Sequence, residues 1–138
     1  MSSSDDDAKA LNSYQRGHPM RFTDLNLWCL NNQIIEVVVD EGTEALPHHI
    51  REIFDYTSKL DPVPSALLIN RENDYSVAFS CLLEALNGNP FSVVAMVDHG
   101  RRQQYFSKAL WPKFLKQGFF DDREAAIRWV IEKLEKKE

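Results

Sequence analysis

The stretch that decides the fold of this 138-residue chain is the apolar run Phe91-Ser92-Val93-Val94-Ala95-Met96-Val97-Asp98. A short apolar run that stops at a polar turn predicts a strand buried on both faces, as in a parallel sheet. The turn is His99-Gly100-Arg101-Arg102, and a long amphipathic stretch follows it. A buried strand that leads into a helical segment indicates an α/β sheet.

The chain repeats this alternation after the turn. Apolar residues at helical spacing predict a helix over about residues 103–117, which Gly118 closes. Phe119-Phe120 is then a minimal fifth strand. Asp121 and Glu124 have the spacing of a capping box, so a last helix is expected from this point.

Two strands are predicted near the N-terminus. They run from Arg21 to Leu30 and from Gln33 to Asp40, and Asn31-Asn32 separates them. Asparagine adopts positive φ at low cost, so two adjacent asparagines between strand-like runs predict a tight hairpin.

A helix–strand–helix segment is predicted between the hairpin and the run at 91–98. The first helix is expected from Thr43 to Leu60, with Pro47 in its first turn, where a missing N–H costs little. Residues 65–70 form a short buried strand. Asn73 or Asp74 can cap the second helix.

The sequence therefore predicts an α/β domain in the order β-β-α-β-α-β-α-β-α. Its sheet is mixed and five-stranded, with an N-terminal β-hairpin followed by largely parallel strands, and about four helices cover it. Residues 1–18 are polar and acidic, which predicts a flexible N-terminal tail, and residues 19–138 form a single domain.

The composition narrows the class of protein. The chain is 43% hydrophobic and 27% charged with a net charge of −5, so no basic face for nucleic acid is expected. Cys29 and Cys81 lie in apolar runs and are interpreted as buried packing residues. No secretory leader is visible, and no apolar run approaches the ~20 residues of a transmembrane segment, so a cytoplasmic protein is expected.

The element order and the C-terminal sequence resemble the STAS domain, in particular the small SpoIIAA-like proteins, whose fold is similar to that of the lipid-carrying CRAL-TRIO domains. The resemblance lies in Val93–Asp98, in Phe119–Asp122 and in the helix Glu124–Val130, where Trp129-Val130 stands for the Trp-Leu of the family. It covers about residues 20 to 135. It implies a non-enzymatic protein without a cofactor that binds a protein partner or a small ligand.

The resemblance also implies a regulatory position at Ser76. Anti-anti-sigma members carry Asp-Ser-Ser-Gly at the start of the helix after the third strand, and this chain has Asp74-Tyr75-Ser76-Val77 there. Ser76 falls on the serine that is phosphorylated in the family, but Tyr75 and Val77 depart from the pattern. Capping of the helix is the alternative role for Ser76.

The turn after the fourth strand is the preferred ligand site. Ligands of open parallel sheets bind beyond the carboxyl ends of the strands, and helix N-termini favour anions. His99, Gly100, Arg101 and Arg102 are therefore interpreted as an anion-binding turn, with a solvated loop as the alternative reading. An enzyme that uses His99 is a third hypothesis, which requires a polar partner for its imidazole.

The aromatic residues of the Pro112-containing helix suggest a second kind of site. This helix could cover an apolar pocket that holds a ligand, and the residues that would line this pocket are Phe106, Leu110, Trp111 and Phe114. Packing in the core and a homodimer face are the alternatives. Neighbouring helix residues cannot easily reach one metal ion together, so His48-His49 are interpreted as surface histidines, and no metal or catalytic set is predicted.

The sequence thus favours a non-enzymatic binding module. Its partner is expected to be another protein or a second copy of the chain, as a homo-oligomer. The alternative is a carrier or sensor of a small apolar or anionic, lipid-like ligand.

Overall fold

The computed structural model describes residues 12–86, 89–99 and 116–135. The strands are β1 Met20–Phe22, β2 Leu25–Leu30, β3 Ile34–Val39, β4 Glu44–Ala45, β5 Ala66–Asn70, β6 Ser76–Val77, β7 Val93–Val97 and β8 Lys116–Phe120. The helices are α1 Pro47–Ser58, α2 Ser80–Leu86 and α3 Arg123–Glu135.

The main sheet is mixed and six-stranded, in the order β1-β2-β3-β5-β7-β8. β1, β2 and β3 are antiparallel, whereas β3, β5, β7 and β8 are parallel. β7 lies between β5 and β8, and four of its five residues are buried. The α/β class, the N-terminal hairpin, the parallel strands and the interior position of the run at 91–98 are confirmed.

The first predicted strand is in fact two strands. The chain turns at Thr23-Asp24, where Asp24 has a φ of 66°, and β1 pairs with β2 in an antiparallel register. Aspartate tolerates this left-handed conformation because its short side chain can bond locally. The sheet therefore has six strands and not five. The hairpin at Asn31 and Asn32 is confirmed, with φ values of 49° and 58°.

Each face of the sheet is covered by its own helices. α1 and α2 lie on one face, where Ile53, Phe54 and Cys81 pack against alternate residues of β2, β3, β5 and β7. α3 lies on the other face, where Ala126, Ile127 and Val130 pack against the intervening residues. The period of two in each strand supplies both cores.

α1 and α2 both begin later than the sequence predicts. β4 and β6 pair in parallel as a separate two-stranded sheet, with Glu44 opposite Ser76. This pairing keeps both segments extended, so α1 begins at Pro47 and α2 at Ser80. The predicted caps Thr43 and Asn73 or Asp74 are therefore wrong.

β8 is longer than the predicted Phe119-Phe120. It includes Lys116 and Gln117, so a helix cannot extend to Gln117, and the rest of that predicted helix lies outside the described residues. Gly118 lies inside this strand, and a Cβ atom there would be 2.7 Å from the ring of Phe120, so a larger residue would require that ring to shift. Three helices are described, compared with about four predicted.

α3 is capped one residue later than the capping-box spacing suggests. The backbone N–H of Ala125 donates to Oδ1 of Asp122 over 2.8 Å, so Asp122 and not Asp121 is the capping side chain. The helix begins at Arg123. This start directs the first residue of α3 towards the carboxyl ends of the parallel strands.

The domain extends into the predicted tail. Tyr14 is buried in the core beneath α3, together with Leu30 and Ile34. Residues 1–11 lie outside the described residues. Among the helices that the structure describes, none has the length and apolar character needed to cross a membrane.

Candidate functional site

The structure describes two of the predicted site residues. His99 follows β7, and Ser76 lies exposed in β6, four residues before α2 rather than at the start of a helix. Gly100, Arg101 and Arg102, and the predicted pocket residues Phe106, Leu110, Trp111 and Phe114, lie outside the described residues.

His99 lies at the carboxyl edge of the parallel strands, as the sequence predicts. Its φ is 55°, and its Nε2 atom is 2.6 Å from Oδ1 of Asn70, the last residue of β5. Nε2 must carry the proton in this contact, because the amide oxygen can only accept. The same amide donates from Nδ2 to Oε2 of Glu36 over 2.9 Å, so Asn70 joins the imidazole to a buried carboxylate.

Glu36 is the carboxylate on which these contacts converge. It is fully buried in the middle of β3, an otherwise apolar strand, and its side chain points towards the α3 face. Arg16 donates from Nε and Nη2 over 3.0 and 2.6 Å, and Arg123 donates from Nε and Nη2 over 2.9 Å each. Two guanidinium groups from opposite ends of the chain therefore hold one carboxylate.

Arg16 has two further neighbours. Its Nη2 atom donates to Oε2 of Glu72 over 2.8 Å, and its guanidinium lies 4.2 Å from the ring centroid of Trp28. Arg123 also donates to the backbone oxygen of Tyr14 over 3.2 Å. The segment before β1 and the first residue of α3 are thus tied to the same point of the sheet.

These contacts determine the protonation state of Glu36. Burial by itself raises the pKa of this carboxyl, but hydrogen bonds from Arg16, Arg123 and Asn70 outweigh it and lower the pKa to about 2. Glu36 and Glu72 balance the charges of Arg16 and Arg123. A small anion at this point would therefore compete with a carboxylate that the protein already holds in place.

His49 shows a similar arrangement at the start of α1. Its Nδ1 accepts the backbone N–H of Leu46 over 2.9 Å, and its Nε2 donates to Oδ2 of Asp24 over 3.1 Å. His49 is buried, so its interpretation as a surface histidine is wrong. Its imidazole ties the β1–β2 turn to the helix, which explains why a histidine is accommodated there.

The cysteines are not arranged for nucleophilic chemistry. Cys81 is buried and its Sγ lies 3.2 Å from the backbone oxygen of Ala45. Cys29 is exposed on β2, which corrects its assignment to the interior. Desolvation is the main factor that raises the pKa of both thiols, although it is only partial for the exposed Cys29, and a raised pKa disfavours the reactive thiolate. Within the described ranges no group of three His, Cys, Asp or Glu residues is placed to hold a metal ion.

An apolar surface lies where α2 begins, on the face of the sheet opposite to α3. Val77, Phe79 and Leu83 are 37%, 64% and 62% exposed. Phe79 immediately precedes α2 and Leu83 lies in its first turn, so both side chains lie at the start of this helix. Beside them, Nη1 of Arg51 on α1 pairs with Oε1 of Glu84 on α2 over 3.1 Å. We call Val77, Phe79 and Leu83 the apolar surface.

A shallow cleft of about 320 Å³ lies at the opposite ends of the strands from His99. Its lining includes Gln33 before β3, Ser65 before β5 and Leu134 in the last turn of α3. Among the described residues that line it, His99 and Ser76 do not appear.

No protein-family model, no curated protein and no solved structure matches this chain. The geometry of its own residues is therefore the basis for assigning a function.

Sequence reasoning did not single out Glu36, Arg16, Arg123 or the apolar surface. The sequence did contain one signal for Glu36: it is a single glutamate in a strand whose other residues are all apolar. A buried carboxylate must be paired, so such a residue predicts an arginine partner. The apolar surface had no signal, because Phe79 and Leu83 fit a helix that is buried on that side.

Proposed function

We propose that this chain is a non-enzymatic α/β binding domain that associates with a second copy of itself through the apolar surface. The observation that carries this proposal is the exposure of Val77, Phe79 and Leu83 on β6 and α2. Cys81 of the same helix faces the core, so the helix is anchored to the sheet and presents Leu83 outwards.

The size of this surface supports a binding role. Three such side chains expose on the order of 300 Å², which is comparable to the largest apolar patch of an ordinary monomer, and patches of that size are often functional. Phenylalanine and leucine bury large apolar areas, and burial between two proteins removes this area from water.

The charges beside the surface favour a second copy as the partner. Arg51 and Glu84 lie next to each other, so the surface has one positive and one negative neighbour. A two-fold axis through the apolar surface would bring Arg51 of one copy towards Glu84 of the other. Symmetric dimers use self-complementary surfaces of this kind. The apolar area is smaller than the ~800 Å² per partner of a standard interface, so we expect weak association.

Several observations support a function without catalysis. Asn70 and two arginines hold Glu36 in its charged form. The imidazole of His49 is engaged at both ring nitrogens. His99 has a polar partner, as the enzyme hypothesis requires, but that partner is an amide already bonded to Glu36. Proton transfer from His99 to Asn70 is not available, because an amide does not act as a base.

We also propose that the chain is a SpoIIAA-like member of the STAS group and that it is cytoplasmic. The N-terminal hairpin followed by parallel strands supports the family assignment. The two cysteines are free, and this supports a reducing compartment. Phosphorylation of Ser76 is not part of the proposal, because Ser76 lies in β6 and not at a helix start. The ligand-carrier alternative depends on residues that lie outside the described ones.

Sedimentation velocity tests the proposed self-association. The wild-type chain is run from about 5 to about 500 µM, because association depends on protomer concentration. We expect the weight-average sedimentation coefficient to rise towards that of a dimer. The variant Phe79→Ser/Leu83→Ser removes most of the exposed apolar area and should remain monomeric over the same range.

The matched control is Met20→Ser/Val63→Ser, which removes two other exposed apolar side chains, 44% and 47% exposed. It should associate as the wild type does. A wild type that stays monomeric at all concentrations overturns the proposal. Equal loss of association in both double variants would also overturn it, since the effect would then not belong to the apolar surface.

A further inference from the structure

The guanidinium of Arg16 lies in a site that is complementary to it on three sides. Glu36 accepts two hydrogen bonds from Nε and Nη2, Glu72 accepts one from Nη2, and the ring of Trp28 lies against the guanidinium plane at 4.2 Å. A paired carboxylate fork, a second carboxylate and an aromatic face are the features by which proteins recognise arginine.

This ligand comes from a short segment of the same chain. Residues 12–18 precede β1 and reach the sheet through Tyr14, whose hydroxyl donates to Oε1 of Gln33. The indole Nε1 of Trp28 donates to the backbone oxygen of Gly17 over 3.1 Å. The segment therefore packs on the α3 face of the sheet over β2 and β3, much as a separate peptide would, with an arginine at its centre.

We propose that Glu36, Glu72 and Trp28 form a guanidinium-binding site, which the chain fills with its own Arg16 and which accepts the arginine of another polypeptide when Arg16 is absent. The chemistry recognised is a planar cation with several N–H donors. A lysine ammonium supplies a point charge and cannot bond both oxygens of Glu36 in the same fork while stacking on an indole.

The site keeps its form without Arg16. Arg123 donates to both oxygens of Glu36, and Asn70 donates to one of them, so the carboxylate stays oriented and charged. Trp28 and Glu36 are directly opposite each other on β2 and β3, so the sheet fixes their separation. Removal of the Arg16 side chain therefore leaves a preformed vacancy of the shape of a guanidinium group.

This inference does not depend on the apolar surface. The guanidinium site lies on the α3 face of the sheet, whereas Cys81 places α2 on the opposite face. Failure of self-association would leave it unaffected.

Chemical rescue of the variant Arg16→Ala tests the site. Ethylguanidinium is added at about 10 mM, and the midpoint of thermal unfolding is compared with that in the same concentration of ethylammonium. Binding to the folded state alone raises the midpoint, and a dissociation constant near 1 mM corresponds to a rise of about 4 °C. We expect this rise with ethylguanidinium only.

Three controls accompany the experiment. The wild-type chain should show no rise, since Arg16 fills the site. The variant Arg16→Ala/Glu72→Gln should show a smaller rise, since one of the two carboxylates is lost. If Arg16→Ala does not fold alone, ethylguanidinium should restore a cooperative transition that ethylammonium does not restore.

A peptide of residues 12–19 identifies the source of the ligand. If the site serves an arginine in a polypeptide, this peptide should bind Arg16→Ala through its arginine alone, because the variant's own Tyr14 and Gly17 already occupy the neighbouring contacts. The same peptide with lysine in place of Arg16 should bind more weakly. Equal effects of ethylguanidinium and ethylammonium, or no effect of either together with no peptide binding, would overturn the proposal.

Discussion

Two arginine–carboxylate pairs on this sheet have the same bonding and opposite surroundings. Arg16 bonds both oxygens of Glu36, and Arg21 bonds both oxygens of Asp40 over 2.8 and 2.5 Å. The side chain of Glu36 is fully buried, whereas those of Arg21 and Asp40 are 55% and 37% exposed. A second arginine and an amide complete the buried pair.

The contacts around an arginine–carboxylate pair, and not the pair itself, therefore decide how much it stabilises the fold. The pKa of Asp40 is lowered mainly by its hydrogen bond from Arg21, and water surrounds both groups. Glu36 has no access to water, so its charge depends entirely on protein donors, and those donors come from three distant segments. The buried pair therefore holds distant segments of the fold together, while the exposed pair contributes little to stability.

Replacement of Glu36 by alanine should give the largest loss of stability and the clearest difference between the two pairs. The variant Glu36→Ala leaves Arg16 and Arg123 facing each other without their carboxylate, and loss of one member of a buried pair costs about 3–5 kcal/mol. Asp40→Ala is the matched variant and should change stability far less. Urea unfolding monitored by circular dichroism gives both values. Equal losses for the two variants would contradict the distinction between the pairs.

Lowering the pH should remove nearly as much stability through Glu36. Its folded-state pKa of about 2 lies below the usual 4.5, so the carboxylate stabilises the fold fully above pH 4.5 and loses that contribution as the pH falls towards 2. A shift of this size corresponds to about 3 kcal/mol. The difference in unfolding free energy between the wild type and Glu36→Gln should shrink over this range. A constant difference between pH 5 and pH 2 would show that folding does not lower the pKa of Glu36.

Removal of single arginines should give the smallest effects. Arg16→Ala leaves Glu36 with Arg123 and Asn70, so we expect a loss of about 1.5–3 kcal/mol, the value of a hydrogen bond to a charged group. Arg21→Ala should lie close to the wild type in the same urea titration. A larger loss for Arg21→Ala than for Arg16→Ala would reverse the order that burial predicts.

The backbone of the sheet was largely predictable because local patterns determine it. The run Phe91–Asp98 is too apolar to lie at a water-exposed rim, and Asn31-Asn32 fits few backbone shapes other than a hairpin. β6 was not predictable, since Ser76 and Val77 become a strand only by pairing with β4, which is more than 30 residues away in the sequence. The turn at Asp24 was missed because one aspartate gives a weaker signal than two asparagines.

Sequence patterns indicated the end of β7, but they did not predict which residues contact one another around Glu36. The rule that strand ends meet at one edge predicts the position of His99 after β7, where it reaches Asn70, and its role in binding an anion stays a prediction. The partners of Glu36 are Arg16, Asn70 and Arg123, and no spacing rule joins residues so far apart in the sequence. Their meeting is a product of the tertiary fold.

The structural role of Glu36 requires that it is an internal anion satisfied by its own neighbours, Arg16, Arg123 and Asn70. A ¹³C NMR titration of the Glu36 carboxyl carbon, assigned with Glu36→Gln, tests this directly. We expect its chemical shift to stay constant from pH 7 to about pH 4 and to titrate with a pKa of about 2. A midpoint at or above 4.5 would show that the carboxyl lacks these partners and would contradict the structural role of Glu36.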